Sequence, residues 1–236
     1  MHGDILENPE IRADSRIRDL FELCVFLLLI VPSMIFSFFT LGSENFDFRV
    51  SALSIILRDI ALTSLVVYFL WRNGEPLALI GWRPNGLKIE ALLGAGLFVP
   101  VTIGIILMES ALQHFGLSSK MSHLPQFLSP KGQSDVLIAF VLVTVVAITE
   151  ETIFRGYLIL RLNSLFHSKA ASVIITSGVF SLGHGYEGLA SVGTIGVLGV
   201  VLALIYVWRK SLIAPMVIHF LIDFVPLVLI PLSKIR

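Results

Sequence analysis

Residues 136–160 read VLIAFVLVTVVAITEETIFRGYLIL, and this stretch decides the fold. From Val136 to Ile148 every residue except Thr144 is apolar. After Thr149 comes Glu150-Glu151-Thr152-Ile153-Phe154-Arg155, and Tyr157 to Leu160 return to the apolar pattern. A run of this length predicts a membrane-crossing helix. Two carboxylates and a guanidinium beside it lie where ionised groups are costly and seldom idle.

Six more apolar stretches flank it, at about 20–41, 52–71, 90–113, 169–186, 188–208 and 212–232. Each is near the roughly 20 residues that a helix needs to cross a bilayer. Of 236 residues, 56% are hydrophobic and 14% are charged, against about 25% charged in a soluble domain. The sequence therefore predicts an all-α, polytopic membrane helix bundle with seven transmembrane helices. An eighth arises if 134–165 breaks near Gly156 or the last helix breaks at Pro226 and Pro231. Residues 1–19 read as a polar N-terminal segment and 20–236 as one transmembrane domain, with the chemistry at about 134–224. The stretch 20–41 is too long for a signal-peptide core and lacks a small-x-small cleavage site, so it reads as a retained span. Cys24 stands alone, so there is no disulfide framework. A net charge of zero and the lack of a dense basic cluster give no sign of a nucleic-acid partner.

Orientation follows from lysine and arginine in the loops. With the N-terminus in the cytoplasm and 134–165 crossing once, the inner side holds Arg12, Arg16, Arg18, Arg72, Arg83, Lys88, Arg161, Lys169, Arg209 and Lys210. The outer side holds only Arg49, Lys120, Lys131, Lys234 and Arg236. In this frame Glu150 lies roughly 16 Å above Arg161, and His184 about 22 Å above Lys169. His219 and Asp223 lie about 14 and 20 Å above Lys210. Three polar motifs thus reach one layer, as a shared site requires.

On a helix, residues four apart share a face, so Glu151 and Arg155 are placed to pair, while Glu150 points about 100° away. Phe180 and His184 share a face, as do His219 and Asp223. If both histidines are neutral, Glu150, Glu151 and Asp223 against Arg155 leave two excess negative charges in a low-dielectric layer. A retained proton, a cationic histidine or a divalent metal would balance them, and the residues leave all three open. A protonatable glutamate suits the activation of water. Two histidines and a carboxylate suit zinc with an open position, although no H-E-x-x-H helix motif is present. The plainer readings are an interfacial charge cluster that snorkels to water, histidines that serve packing, and glycines at 178–199 that let helices approach. Arg58 and Asp59 in the second span read as a pair or as facing the bundle, and His114, His123 and His167 as solvated loop residues. No G-x-S-x-G elbow supports a serine hydrolase.

Taken in order, the motifs E-E-x-x-x-R (Glu150, Glu151, Arg155), F-x-x-x-H (Phe180, His184) and H-x-x-x-D (His219, Asp223) resemble the CPBP family of intramembrane proteases. That group contains the type II CAAX prenyl endopeptidases and bacterial bacteriocin-processing or self-immunity proteins. Ile80-Gly81-Trp82-Arg83 is similar to the family's short motif after its second helix. The resemblance implies peptide-bond hydrolysis inside the membrane. Glu150 would activate water, and His184 and His219 would polarise the carbonyl or hold the oxyanion. Asp223 would orient His219 or the water, and Glu151 with Arg155 would support the base. Asp223 stands where the prenyl endopeptidase has asparagine. A metal in this family is disputed; zinc is the first candidate, with Glu150, His184, His219 and Asp223 as its ligands.

The expectation is a multi-pass peptidase with a cavity open to the cytoplasm. Its setting would be a bacterial inner (plasma) membrane, and its partners the lipid bilayer and a membrane-associated peptide or protein substrate. Two rivals are a non-catalytic immunity or scaffold protein of the same fold and a proton-coupled transporter. No inverted repeat of broken helices supports the transporter.

Overall fold

Apolar stretches with few breakers become helices, and polar, glycine- or proline-bearing segments separate them. A computed structural model describes residues 9–37, 47–83, 85–115 and 126–234. Its α-helices are α1 (Pro9–Ser37), α2 (Phe48–Arg72), α3 (Leu87–His114), α4 (Gln133–Glu150), α5 (Ile159–Phe166), α6 (Lys169–Leu182), α7 (Leu189–Arg209), α8 (Ile213–Phe224) and α9 (Ile230–Lys234). A π-helical segment, Glu151–Leu158, joins α4 to α5, and another, Val225–Leu229, joins α8 to α9. The described residues thus form seven helical rods and contain no strand.

Five rods are long and apolar enough to cross a membrane: Phe48–Arg72, Leu87–Leu112, Gln133–Phe166, Leu189–Arg209 and Ile213–Lys234. The chain is a multi-pass membrane protein. Five is fewer than the seven spans expected. At 1.5 Å per residue, α6 is about 21 Å long, short of the roughly 30 Å hydrocarbon core. The first half of α1 carries Arg16, Arg18, Asp19 and Glu22.

Local chemistry sets the helix ends. Asp47 caps α2 by accepting from the Arg49 and Val50 amides, and Ser168 caps α6 by accepting from that of Ala171. Arg72 and Arg209 occupy the last turns of α2 and α7, where a cation opposes the helix dipole. Helix α1 begins at Pro9, so described residues of the segment read as a polar leader continue helically into the first span. The tail of that expected span, 38–41, lies outside the described residues, as do Lys120, His123, Arg236 and the side chain of Arg12.

Gly156 does not break the fourth rod. A Cβ there would stand 3.0 Å from the carbonyl oxygen of Ile80, so this glycine admits a neighbouring backbone. Nor do Pro226 and Pro231 split the last rod, which runs through its π segment to Lys234. Helix α3 packs on α8, α6 on α7, and α2 on α4. Phe26, Val66, Leu70, Ile80, Ile153 and Tyr157 lead the largest apolar cluster, where α1 and α2 meet the π segment.

Candidate active site

A π turn bonds each N–H five residues back rather than four, and such turns recur at functional sites. Here it begins at Glu151, next to the last residue of α4. Glu151 and Arg155 remain on one face: Arg155 Nη1 stands 2.9 Å from Glu151 Oε1, with side chains 2% and 0% exposed. The contact is an ion pair without hydrogen-bond geometry. The same Oε1 accepts from His219 Nδ1 at 2.8 Å. Glu151 thus holds a cation from its own rod and an imidazole from α8.

His219 presents its other nitrogen to two further carboxylates. Nε2 lies 3.8 Å from Glu150 Oε2 and 3.5 Å from Asp223 Oδ2. Glu150 Oε2 is buried and has no hydrogen-bond partner. Phe180 sits behind this group. Its ring takes the Arg155 guanidinium on its face at 4.2 Å and meets the rings of His184 and His219 at centroid distances of 5.1 and 6.0 Å. Phe154 packs edge-on against it at 5.2 Å. The three sequence motifs therefore close around one aromatic ring.

Glu150, Phe180, His184, His219 and Asp223 all line a single cavity of about 960 Å³. Its other walls include Met34 of α1, Leu62 of α2, Ile105 of α3 and Val146 of α4. Glu151 and Arg155 are buried and do not line it. His184 differs from expectation in one respect. Helix α6 ends at Leu182, so His184 lies in the turn beyond it, ahead of the 3-10 turn Gly185–Glu187. Gly183 and Gly185 on either side explain the break. The His184 Nδ1 lies 3.3 Å from the Phe180 carbonyl oxygen.

Sequence reasoning passed over several cavity residues. Asp59 and Arg58, read as a pair or as facing the bundle and given no part in the site, line the cavity. They pair at 2.9 Å, and the Thr149 hydroxyl lies 3.4 Å from Asp59 Oδ2. Thr149 has one proton, and its shorter contact is to the Val145 carbonyl at 2.8 Å, so it holds Asp59 weakly. Glu109, Tyr186 and Glu187 also face the cavity. Burial raises the Glu187 carboxyl above the usual range, and nearby His184 pulls it back down. Charges within predicted spans were the available signal for Asp59 and Glu109.

A second polar centre corrects the loop count. Arg161, expected in an inner loop, is 1% exposed. It forks onto Glu75 at 2.9 and 2.5 Å and reaches Glu22 at 3.2 Å. Tyr157 and Asn73 also donate to Glu22, at 3.3 and 3.0 Å. His167 and His114, both read as solvated, are exposed: His167 is the left-handed cap of α5 and contacts Arg16, and His114 is the last residue of α3.

Among the described residues, no three His, Cys, Asp or Glu side chains are grouped to hold a metal ion. Glu150, His184, His219 and Asp223 share a cavity without forming such a group. His219 keeps Nε2 open, 3.8 Å from Glu150 and 3.5 Å from Asp223, while His184 lies in the turn beyond α6.

No curated protein and no solved structure matches the chain. The stretch that holds all three motifs, residues 132–225, matches the family model Rce1-like, described as type II CAAX prenyl endopeptidase Rce1-like, a protease family consistent with the CPBP resemblance of those motifs.

Proposed function

We propose that the protein is an intramembrane endopeptidase that hydrolyses a peptide bond of a membrane-associated protein or peptide, with Glu150 as the base. The observation that carries this reading is the buried, unpartnered Oε2 of Glu150, facing His219 Nε2 across 3.8 Å at the wall of a cavity. That gap is too long for a direct hydrogen bond and short enough for one water to bridge.

The chemistry follows from these atoms. Glu150 takes a proton from water, and the resulting hydroxide adds to the substrate carbonyl carbon. The oxyanion is held by a proton on His219 Nε2. Because Nδ1–H donates to Glu151, Nε2 carries a proton only in the imidazolium form. Glu150, Glu151 and Asp223 surround that cation, which answers part of their excess negative charge. His184, with Nδ1 turned to the Phe180 carbonyl, has Nε2 left for the substrate. The tetrahedral intermediate collapses as the C–N bond breaks, and the proton held by Glu150 passes to the leaving amine. Every proton returns to its place without a further reactant.

In this reading all seven rods embed, the N-terminus is cytoplasmic, and the membrane is a bacterial inner membrane. The test is incubation of the purified protein in liposomes with a panel of membrane-tethered peptides, prenylated and unprenylated, followed by mass spectrometry. A defined internal cut by the wild-type protein supports the reading. Intact peptides throughout, with folded protein, count against it.

A further inference from the structure

The segment after α2 runs along the rod that carries Glu151 and touches it at three heights. Near the far end, Glu75 accepts both fork nitrogens of Arg161. In the middle, the Ile80 backbone lies against Gly156, where any Cβ would meet the Ile80 oxygen at 3.0 Å and the Ile80 Cβ at 3.1 Å. Closest to the site, the Trp82 indole N–H donates to Thr152 Oγ1 at 3.1 Å, one residue from Glu151. Thr152 Oγ1 in turn donates to the Ile148 carbonyl at 2.6 Å, so it holds Trp82 with a lone pair and its own helix with its proton.

The same segment also grips the helix of His219. The Gly81 carbonyl accepts from the Leu212 amide at 3.2 Å, immediately before α8 begins at Ile213. Gly81 has φ +92°, and a Cβ there would stand 2.7 Å from the Tyr206 ring, so only glycine allows this turn. Trp82 packs against both the apolar cluster around Ile153 and Phe154 and the one around Ile159, Tyr206 and Leu212. One short strap, 75–82, is therefore fastened to the helix of Glu151 and to the start of the helix of His219.

We propose that this strap sets the register of the Glu151–His219 hydrogen bond, with Trp82 and Thr152 as positioning residues. Neither lines the cavity, so neither touches substrate; each acts through the rods that it ties together. The inference rests on the proposed peptidase reading for its kinetic consequence, but its geometric consequence stands without it.

The test therefore has two arms. In the first, kcat and KM are measured for Trp82→Phe, which keeps a ring and loses the N–H donor, and for Thr152→Val, which keeps the shape and loses the acceptor. The expected result is a loss of roughly tenfold in kcat for each, with KM within about twofold and the thermal midpoint nearly unchanged, a size typical of a slightly misplaced group. The double variant should be no slower than either single one, and Thr152→Ser should restore the wild-type rate. In the second arm no substrate is needed. Carbethoxylation of His219 and His184 is followed by peptide mapping, and Trp82→Phe should raise the His219 rate several-fold while leaving His184 unchanged. A reactive His219 in Trp82→Phe alongside an inert wild-type enzyme would support the strap and count against the peptidase reading. Wild-type His219 reactivity in Trp82→Phe would overturn the strap proposal, as would independent, multiplicative losses in the double variant.

Discussion

Nδ1 of His219 lies 2.8 Å from Oε1 of Glu151, joining residues 68 positions apart in the chain. The resemblance implied that Asp223 orients His219 or the water. In the structure Asp223 stands 3.5 Å from Nε2, and Glu151 holds the opposite nitrogen. An imidazole fixed at Nδ1 presents Nε2 to the cavity, where Glu150 and Asp223 meet it.

Glu151→Gln is expected to damage the fold as well as the site. The variant leaves Arg155 buried without its ion-pair partner, and losing one partner of a buried pair costs about 3–5 kcal/mol. Thermal unfolding in detergent should show a marked drop in the midpoint, and activity should fall with it. A wild-type midpoint for Glu151→Gln would show that the pair with Arg155 does not hold this rod.

Arg161→Met should destabilise the protein by a similar amount, about 3 kcal/mol, because it leaves the Glu22 and Glu75 carboxylates facing each other without their shared cation. Adding Glu75→Gln to Arg161→Met should recover part of the loss by removing one of those charges. Denaturant or thermal unfolding of the two variants checks this. Equal stability of the single and double variants would show that Glu75 is not buried against Arg161.

Much of the bundle was legible because hydropathy reports directly on which residues enter lipid. The stretch 134–165 anticipated the rod Gln133–Phe166 to within a residue at each end. The motifs likewise marked the residues that meet around Phe180. Partners far apart in sequence were not legible. Arg161 looked like a loop cation because its side-chain type was visible and its pairing with Glu22 and Glu75 was not. The first is 139 residues away and the second 86. The displacement of His184 off α6 was written in the flanking Gly183 and Gly185, which weaken a helix end. The π turn at Glu151 had no signal in hydropathy or motif spacing.

Exhaustive chelation should leave cleavage unchanged, and added zinc should not raise it. The expectation rests on the donor arrangement: among the described residues, no three donors are grouped. Activity lost on chelation and regained in proportion to bound zinc would require Glu150, His184, His219 and Asp223 to regroup around an ion.

The central claim is that Glu150 is the base, and Glu150→Gln tests it most directly. Because Glu150 Oε2 makes no hydrogen bond to protein, the amide breaks none there, and the variant should express and unfold close to the wild type. Turnover of a membrane-tethered peptide in liposomes should fall by at least about 10²–10⁴-fold, the contribution of a positioned general base. Full peptidase activity in folded Glu150→Gln would contradict the account.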